Sequence, residues 1–505
     1  MFGLVAAGFF LLSRWADFPY FYHTDEPGKA RQIIEDTRNF HHPLLMLEST
    51  ALVVKGLRIP AGPQAVTETG RDLSALFCAL SAALLAACVA RSFGTVPGVL
   101  AGALLLVQPD VQEYARYFKE DPSLMFGWAC VFAAMGLVEA KPTVTRAVAL
   151  GMAVAVAASG KYVGIVMVLP ASWVLAVAIR RNRVPEASDE AASSWQAIVL
   201  PAVLAMVVTF AVINHRLLLD QATFKASLAH ETTLVLEGQG GVSKSIPHAG
   251  FFKRLAGRSI HLLPFVAIGW WAAWTNRRKW TITMLALLAS PWALAVLLAF
   301  SAKDSGRYFM PANLGLAAAA ALGAVTLSRW TVLASVRRRV MPVCAVLLLA
   351  ASVARSWPFI DGFRSDARRD LLQWMNANLP PGSVVLQGRK VSLPDSTGKF
   401  ADAWHQRVSP GIRLDSVMSV AENAESPAAL AVRGITHVAL AGDEYEVFLE
   451  PHKAKPGQED ARARRRDFYQ QLFADGTLVW QRAAGKVGTH QPELRLYRLP
   501  SPPPP

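Results

Sequence analysis

Long apolar runs alternate with short polar links over the first 355 residues of the chain. A transmembrane helix needs about 20 mainly apolar residues to cross a hydrocarbon core of roughly 30 Å. Ten runs are candidates: 73–90, 96–108, 124–137, 144–158, 163–179, 197–213, 261–275, 282–300, 309–327 and 340–353. Together with the apolar N-terminus, they predict an all-α polytopic membrane domain of about ten or eleven transmembrane helices.

The basic residues of the short links lie in every second link. The clusters are Arg91, Lys141 with Arg146, 180–183, 277–279 and 337–339. Because positive charge disfavours translocation of short loops, these links are predicted to be cytoplasmic. The segments predicted to face the outside are 14–72, 109–122, the link at Lys161, 214–259, 301–308 and everything after about residue 356.

The apolar segment 2–12 supplies only about half the length that a span requires. We therefore expect that a piece upstream of it is missing. A cleaved signal peptide is the alternative, but no basic segment precedes the run and no small-x-small cleavage site follows it.

The pattern changes after Trp357, where charge rises and the apolar runs shorten. Residues 366–378 form an amphipathic helical pattern that ends at a Leu-Pro-Pro-Gly sequence. Strand patterns at 383–387, 436–441, 477–481 and 494–499 alternate with helical patterns at 427–432 and 459–473. We predict a transmembrane domain over 1–355, a small extracytoplasmic α/β domain over 356–499 and a disordered proline tail over 500–505.

Composition supports the membrane class, since 53% of the residues are hydrophobic and 17% are charged, against roughly 25% charged residues in soluble globular chains. The net charge of +14 lies largely beside apolar runs, where topology explains it, so no nucleic-acid partner is expected. The four cysteines lie inside apolar runs with no metal-binding spacing: Cys78, Cys88, Cys130 and Cys344. They are predicted to be buried apolar residues.

The first outer segment carries a paired acid, Asp25 and Glu26, soon after a group of aromatic residues at 15 and 20–22. Such aromatic residues favour headgroup depth, where a carboxylate could act as a base on a substrate with a lipid tail. A solvated loop acid is the alternative. His41 and His42 in the same segment could bind a metal ion or a phosphate, although lone histidines are more often surface residues.

The second outer segment places both signs of charge before the next span. Arg116 and Lys119 could hold a phosphate, while Glu120 and Asp121 could bind a metal ion or orient a sugar hydroxyl. A salt-bridged helix end is the equally weighted alternative.

Two further cations lie in very short links between spans, Lys161 and Arg307. Together they could bind a lipid-linked phosphate from the outer face, or they could serve as plain interfacial anchors.

With these residues in this order, the chain resembles the polytopic glycosyltransferases with the GT-C fold. The resemblance is to their bacterial branch, which is related to protein O-mannosyltransferases and to the aminoarabinose transferases of lipid A. Asp25-Glu26-Pro27 matches the family's first-loop acid pair, and His42-Pro43-Leu44 is similar to its His-Pro-Pro-Leu element with the second proline lost. The remaining matches are Glu120 or Asp121, Lys161-Tyr162, and Arg307-Tyr308 followed by Pro311.

The resemblance implies an enzyme that passes a sugar from a polyprenyl-phosphate donor to a lipid, protein or glycan acceptor outside the inner (cytoplasmic) membrane. Asp25 would be the general base and the reaction would invert the anomeric centre. Lys161 and Arg307, with Arg116 or Lys119, would stabilise the departing phosphate. The residues implied to contact sugar or acceptor are Glu26, His42, Glu120, Asp121 and Tyr308. No cofactor is required, although the acids are compatible with a divalent cation.

Two other classes stay open from the residues alone. One is a transporter or flippase for a lipid-linked or anionic substrate, and the other is a membrane scaffold whose C-terminal domain binds a partner. The outer segment 214–259, with Glu231, Glu237 and the glycines of 238–241, is a candidate lid or a surface loop without function.

Overall fold

Apolar helices dominate the first 362 residues of the computed structural model, which describes residues 1–181, 190–237, 257–277, 280–299, 306–330, 334–394, 407–449 and 459–500. The glycines of the candidate lid and all but the first residue of the predicted proline tail lie outside these ranges. The chain divides into two compact units. The first contains Met1–Ala16, Gly28–Glu237 and the described residues 257–357; the second contains Asp17–Pro27 and the chain from Pro358.

The first unit is helical. Its helices are α1 (Phe2–Ser13), α2 (Glu26–Ile34), α3 (Leu45–Gly56), α4 (Pro63–Phe93), α5 (Thr95–Leu106), α6 (Pro109–Tyr114), α7 (Glu120–Ala140), α8 (Val144–Gly160), α9 (Val168–Arg181), α10 (Glu190–Ile213), α11 (His215–Leu219), α12 (Gln221–Glu237), α13 (Leu263–Thr275), α14 (Ile282–Ala299), α15 (Ala312–Trp330) and α16 (Ala334–Gly362). Short 3₁₀ segments at Tyr162–Met167, Ile260–Leu262 and Gly306–Phe309 join some of them.

Seven helical segments among the described residues are long and apolar enough to cross a membrane: Pro63–Phe93, Glu120–Ala140, Tyr162–Arg181, Trp195–Ile213, Ile282–Ala299, Ala312–Trp330 and Arg339–Gly362. Three apolar helices are shorter, at Phe2–Ser13, Thr95–Leu106 and Val144–Gly160. The predicted multi-span, all-α membrane domain is confirmed.

Helix α4 begins ten residues before the predicted start of its span. Pro63 occupies its first turn, where a missing backbone N–H costs nothing, and the helix continues for 31 residues. At 1.5 Å per residue this is about 46 Å, longer than a hydrocarbon core of about 30 Å. The buried Arg71 lies in these added turns and donates to the Ala16 carbonyl at 2.7 Å. This hydrogen bond stabilises the polar N-terminal part of α4, which precedes the apolar run.

Small residues allow the helices to approach closely. A Cβ added to Gly127 of α7 would lie 2.3 Å from the Cα of Ala157 in α8, and one added to Gly151 of α8 would lie 2.0 Å from the carbonyl of Ala202 in α10. Close backbone approach is the usual basis of helix association in membranes, because lipid removes the hydrophobic drive.

Among its described residues, the second unit has four α-helices, α17 (Ala367–Asn378), α18 (Pro427–Val432), α19 (Gly442–Leu449) and α20 (Glu459–Asp475), and one five-stranded sheet. The strands are β1 (Val384–Gly388), β2 (Arg413–Val417), β3 (His437–Ala441), β4 (Thr477–Arg482) and β5 (Leu494–Arg498), in the order β2-β1-β3-β5-β4. β1 is parallel to β2 and β3, while β5 is antiparallel to β3 and β4. The predicted small α/β fold is confirmed.

The segment Asp17–Pro27 packs within this second unit. The Tyr22 hydroxyl donates to Asp366 Oδ2 at 2.5 Å, and Asp366 also caps α17 by accepting from the backbone N–H of Arg368 at 2.9 Å. The Arg368 guanidinium lies 4.2 Å from the centre of the Tyr22 ring. Burial, followed by the Asp366 charge, raises the pKa of Tyr22, so its hydroxyl keeps the proton that it donates.

Candidate active site

Glu120 and Asp121 open helix α7 and are almost fully buried, with 3% and 1% of their surface exposed. The extended backbone of Lys119 precedes them as the N-cap, which places both carboxylates in the first turn. Acids are favoured there because the helix dipole is positive at its N-terminus. Buried carboxylates also need close cations or hydrogen-bond donors, and each acid has its own set.

Glu120 pairs with Lys29 from α2. Lys29 Nζ lies 2.6 Å from Glu120 Oε1 and donates to the Phe118 carbonyl at 2.9 Å. Burial lowers the pKa of Lys29, and Glu120 opposes this shift. His42 Nε2 lies 3.8 Å from the other oxygen of Glu120. Because burial lowers the pKa of His42 to about 4, this imidazole is neutral near pH 7 and adds no positive charge.

Asp121 binds two cations from distant parts of the chain. Lys161 Nζ lies 2.7 Å from Asp121 Oδ1, and Arg307 Nε lies 3.7 Å from Asp121 Oδ2. Burial alone would lower the pKa of Arg307, but the Asp121 carboxylate raises it above the ordinary value. The Tyr308 ring lies beside both cations, with its centre 4.2 Å from Lys161 Nζ and 5.6 Å from Arg307 Cζ.

Lys119 is also buried in this part of the structure, with 2% of its surface exposed. Burial lowers its pKa well below the ordinary value, and the neighbouring Arg307 charge lowers it further. Negative charge that arrives nearby would raise this pKa again.

A cavity of about 370 Å³ opens beside Lys161, Tyr308 and His42. The other polar residues of its lining are His41, Glu231 and Thr232. The rest of the wall is apolar and consists of Leu124, Val163, Leu228, Val235, Leu236, Leu294, Leu297 and Leu298. An apolar cavity lined by a few polar groups is the usual form of a small-molecule site, and this lining fits a ligand with a charged head and a hydrocarbon tail.

Arg116 was predicted to bind the same phosphate as Lys161 and Arg307, but its hydrogen bonds are to another part of the chain. Its guanidinium donates from Nε to the Arg14 carbonyl at 3.0 Å and from Nη2 to the Leu11 carbonyl at 2.9 Å, and Nη1 donates to the Gln112 carbonyl. It thereby ties the end of α1 to the segment after α6. A phosphate-binding role for Arg116 stays a prediction.

Asp25 and Glu26 lie in the segment Asp17–Pro27 of the second unit, and Glu26 is the first residue of α2, which continues into the first unit. Asp25 is exposed, its backbone N–H donates to His23 Nδ1 at 3.2 Å, and Thr24 Oγ1 donates to its carboxylate at 3.3 Å. Glu26 is fully buried. Of the paired acids, Asp25 is thus the one that presents a carboxylate to solvent.

Sequence reasoning missed a second charged cluster, at α6. Arg258 Nη1 lies 2.7 Å from Asp110 Oδ1 and 2.6 Å from Glu113 Oε2, and Asn313 donates to the other Asp110 oxygen at 3.4 Å. Burial raises the pKa of Glu113 to about 7, against the Arg258 charge. Neither Lys29 nor Arg258 stands in a recognisable motif, so only the folded chain reveals these partners.

Within the described ranges, no group of three histidine, cysteine or acidic side chains is placed to hold a metal ion. That no cofactor is required, with a divalent cation possible, stays a prediction.

Together, the bundle and the buried cluster define a polytopic membrane protein with a charged site at one end of its helices. Comparisons with known proteins give the particular fold. Residues 66–188 match the family model described as dolichyl-phosphate-mannose-protein mannosyltransferase. No curated protein sequence matches the chain significantly.

Two solved structures share the architecture over nearly the whole chain. ArnT from Cupriavidus metallidurans bound to undecaprenyl phosphate is 16% identical, with a TM-score of 0.54, and the alignment covers 98% of this chain and 97% of that one. The apo oligosaccharyltransferase from Archaeoglobus fulgidus is 11% identical, with a TM-score of 0.52 and coverage of 96% and 80%. The chain therefore has the GT-C fold, which it shares with ArnT.

Proposed function

We propose that this protein is a GT-C glycosyltransferase that transfers a sugar from a polyprenyl phosphate to an acceptor outside the cytoplasmic membrane. The observation that carries the proposal is the mixed lining of the cavity, with Lys161 and Tyr308 among its polar residues and leucine and valine along the rest of its wall. A polyprenyl phosphate likewise has an anionic head and a long apolar chain. ArnT, which shares the fold, was solved with undecaprenyl phosphate bound.

The cations at and beside the cavity suit a phosphate. Lys161 lines the cavity, and Arg307 shares the carboxylate of Asp121 with it. Asp121 holds them in place before the ligand arrives, and such preorganised charge stabilises a developing anion without reorganisation during the reaction. Glu120 holds Lys29 in the same way. In our proposal, both acids of α7 position cations, and they do not bind sugar hydroxyls.

The chemical step requires a base for the acceptor. We assign this role to Asp25, whose exposed carboxylate accepts the proton of the acceptor hydroxyl as its oxygen attacks the anomeric carbon. Attack from the face opposite the phosphate breaks the bond between the anomeric carbon and the phosphate oxygen and inverts the configuration. The bonding electrons leave with polyprenyl phosphate, and Lys161 and Arg307 stabilise that charge.

The orientation of the helices in the membrane determines on which side the acceptor lies. The basic clusters after α4, α7 and α9 predict that those ends face the cytoplasm, so the opposite helix ends and the C-terminal α/β unit face the outside. The acceptor is a lipid, protein or glycan on that side. Because Lys161 and Arg307 supply positive charge to the phosphate, transfer should persist in EDTA.

The test is transfer of radiolabelled sugar from purified undecaprenyl-phosphate sugars, with membranes that contain the wild-type chain or Asp25→Asn. A suitable matched control is Asp17→Asn, which alters another exposed aspartate of the same segment. We expect Asp25→Asn to abolish transfer in a folded protein and Asp17→Asn to retain it.

Three results would separate the alternatives. Transfer that survives Asp25→Asn keeps the glycosyltransferase but removes Asp25 as its base. Absence of transfer by the wild type from every donor, despite correct insertion, contradicts the enzyme. Movement of the lipid-linked sugar across the bilayer without transfer would favour the flippase.

A further inference from the structure

A second cavity, of about 820 Å³, lies at the other end of α7. It is lined by the C-terminal ends of α4, α7, α13 and α15 and by the start of α14. Helix α7 has 21 residues, so its two ends are about 30 Å apart. This cavity is therefore separate from the polyprenyl-phosphate site, and the basic clusters predict that it faces the cytoplasm.

Two arginines line this cavity, Arg91 and Arg329, and both are exposed. Among the described residues, neither has a carboxylate within ion-pair distance. Glu139 is the acid that also lines the cavity. Its oxygens accept from the backbone N–H groups of Ile282 at 2.7 Å and Thr283 at 3.0 Å, so Glu139 serves to cap α14.

The surroundings of the arginines are those of a membrane interface. Phe93 and Trp280 pack edge to face with ring centres 4.9 Å apart, and Trp330 lines the same cavity. Aromatic residues of this kind are enriched at headgroup depth. Leu322 and Val325 extend the wall with apolar surface, which suits the first carbons of an acyl chain.

We propose that this cavity binds the phosphate group of an anionic glycerophospholipid from the cytoplasmic leaflet. Basic pockets between transmembrane helices on the cytoplasmic side are typical sites for anionic headgroups. A free phosphate would use the arginines but leave the apolar wall without a ligand, and a zwitterionic lipid would bring its own positive charge. The occupant is therefore a lipid with net negative charge.

The test uses the purified full-length chain, delipidated in detergent and examined by native mass spectrometry. Phosphatidylglycerol and phosphatidylcholine with identical acyl chains are added separately. Each arginine near a membrane surface contributes about 1 kcal/mol to anionic-lipid binding, or roughly fivefold in affinity. We expect preferential retention of phosphatidylglycerol, reduced roughly 25-fold in the double variant Arg91→Gln/Arg329→Gln. Arg180→Gln, which removes an exposed charge outside the cavity, should leave retention unchanged.

A steric variant tests the same site with its charges kept. A Cβ added to Gly136 would meet Arg91 Cδ at 4.0 Å and Thr283 Cγ2 at 3.9 Å, so a larger side chain has room to enter the cavity. Gly136→Leu should reduce lipid retention although both arginines remain.

Four results would overturn the proposal. They are equal retention of phosphatidylcholine, full retention by both cavity variants, displacement of phosphatidylglycerol by inorganic phosphate, and stronger binding of undecaprenyl phosphate at this site. None of these readouts depends on sugar transfer, so the lipid site and the proposed enzyme can fail separately.

Discussion

Charged side chains lie at both ends of helix α7, but they are buried beside ion-pair partners at the N-terminal end, whereas Arg91 is exposed at the C-terminal end. At the N-terminal end, the buried Glu120 and Asp121 lie within 4 Å of Lys29, Lys161 and Arg307. At the C-terminal end, Glu139 caps α14, and the exposed Arg91 has no carboxylate partner among the described residues.

The difference has an energetic meaning. Buried ion pairs are costly to desolvate and costly to break, so they fix positions more than they add stability. Fixed positions suit a site whose cations must have the same geometry before and after the phosphate binds. Exposed arginines lose little by exchanging water for a headgroup, which suits reversible lipid binding. Four substitutions test this contrast.

The largest effect is expected at the buried pair. Lys29→Met should lower the free energy of unfolding by about 3–5 kcal/mol, because Glu120 is left as an uncompensated buried charge. Lys29→Met/Glu120→Gln should recover much of this loss, since no isolated charge remains. Detergent-micelle unfolding followed by tryptophan fluorescence measures both. A double variant as unstable as the single one would mean that packing, and not charge, makes the pair important.

The next effect is on the reaction. Lys161→Met should lower transfer from undecaprenyl-phosphate sugar about 100-fold, the cost of removing one preorganised charge from a developing anion. Arg307 still pairs with Asp121 in this variant, so the chain should remain folded. Arg180→Gln is the matched charge removal away from the site and should keep wild-type transfer. Unchanged transfer in Lys161→Met would exclude this lysine from the donor phosphate.

A smaller effect should appear in the pH dependence of stability. His42 has its pKa lowered to about 4 in the folded state by burial, whereas an unfolded histidine titrates near 6.5. As the pH falls from about 6.5 to about 4, the unfolded chain binds a proton that the folded chain does not, so stability is lost, on the order of 3 kcal/mol. His42→Gln should flatten this part of the curve, and the exposed His215→Gln should not. Identical curves for wild type and His42→Gln would show that another group titrates here.

The smallest effect belongs to the other end of α7. Arg91→Gln should change the free energy of unfolding in lipid-free micelles by less than about 0.5 kcal/mol, as is usual for exposed positions. The same fluorescence measurement applies. A loss comparable to that of Lys29→Met would show that Arg91 has a structural partner, and the contrast between the two ends would disappear.

Much of the fold could be predicted because it follows local patterns. Apolar runs with basic clusters in alternate links predicted the helical bundle, and four of the five strands were predicted close to their observed bounds. The fifth, Arg413–Val417, was missed because its five residues alternate too briefly to stand out. Its place is set by parallel pairing with β1, in which Val384 lies opposite Arg413.

The candidate site was predictable only in part. Glu120, Asp121, Lys161, Arg307 and Tyr308 were all singled out as charged or aromatic residues in predicted outer links, and the structure brings them together. Their roles in the proposed reaction stay predictions. Lys29 was not singled out, since a single lysine on a short helix carries no pattern. Arg116 looked equivalent to Lys161 in the sequence, but its donors are directed at backbone carbonyls.

The sequence by itself determined which segments are apolar enough to enter a membrane, because that depends on the composition of about 20 neighbouring residues. It also determined where acids and cations stand relative to the predicted span ends. Only the tertiary structure decided the partners, such as Arg258 with Asp110, which lie 148 positions apart. Such pairs depend on which helix ends meet and on how deeply each charge is buried, and no local pattern records either.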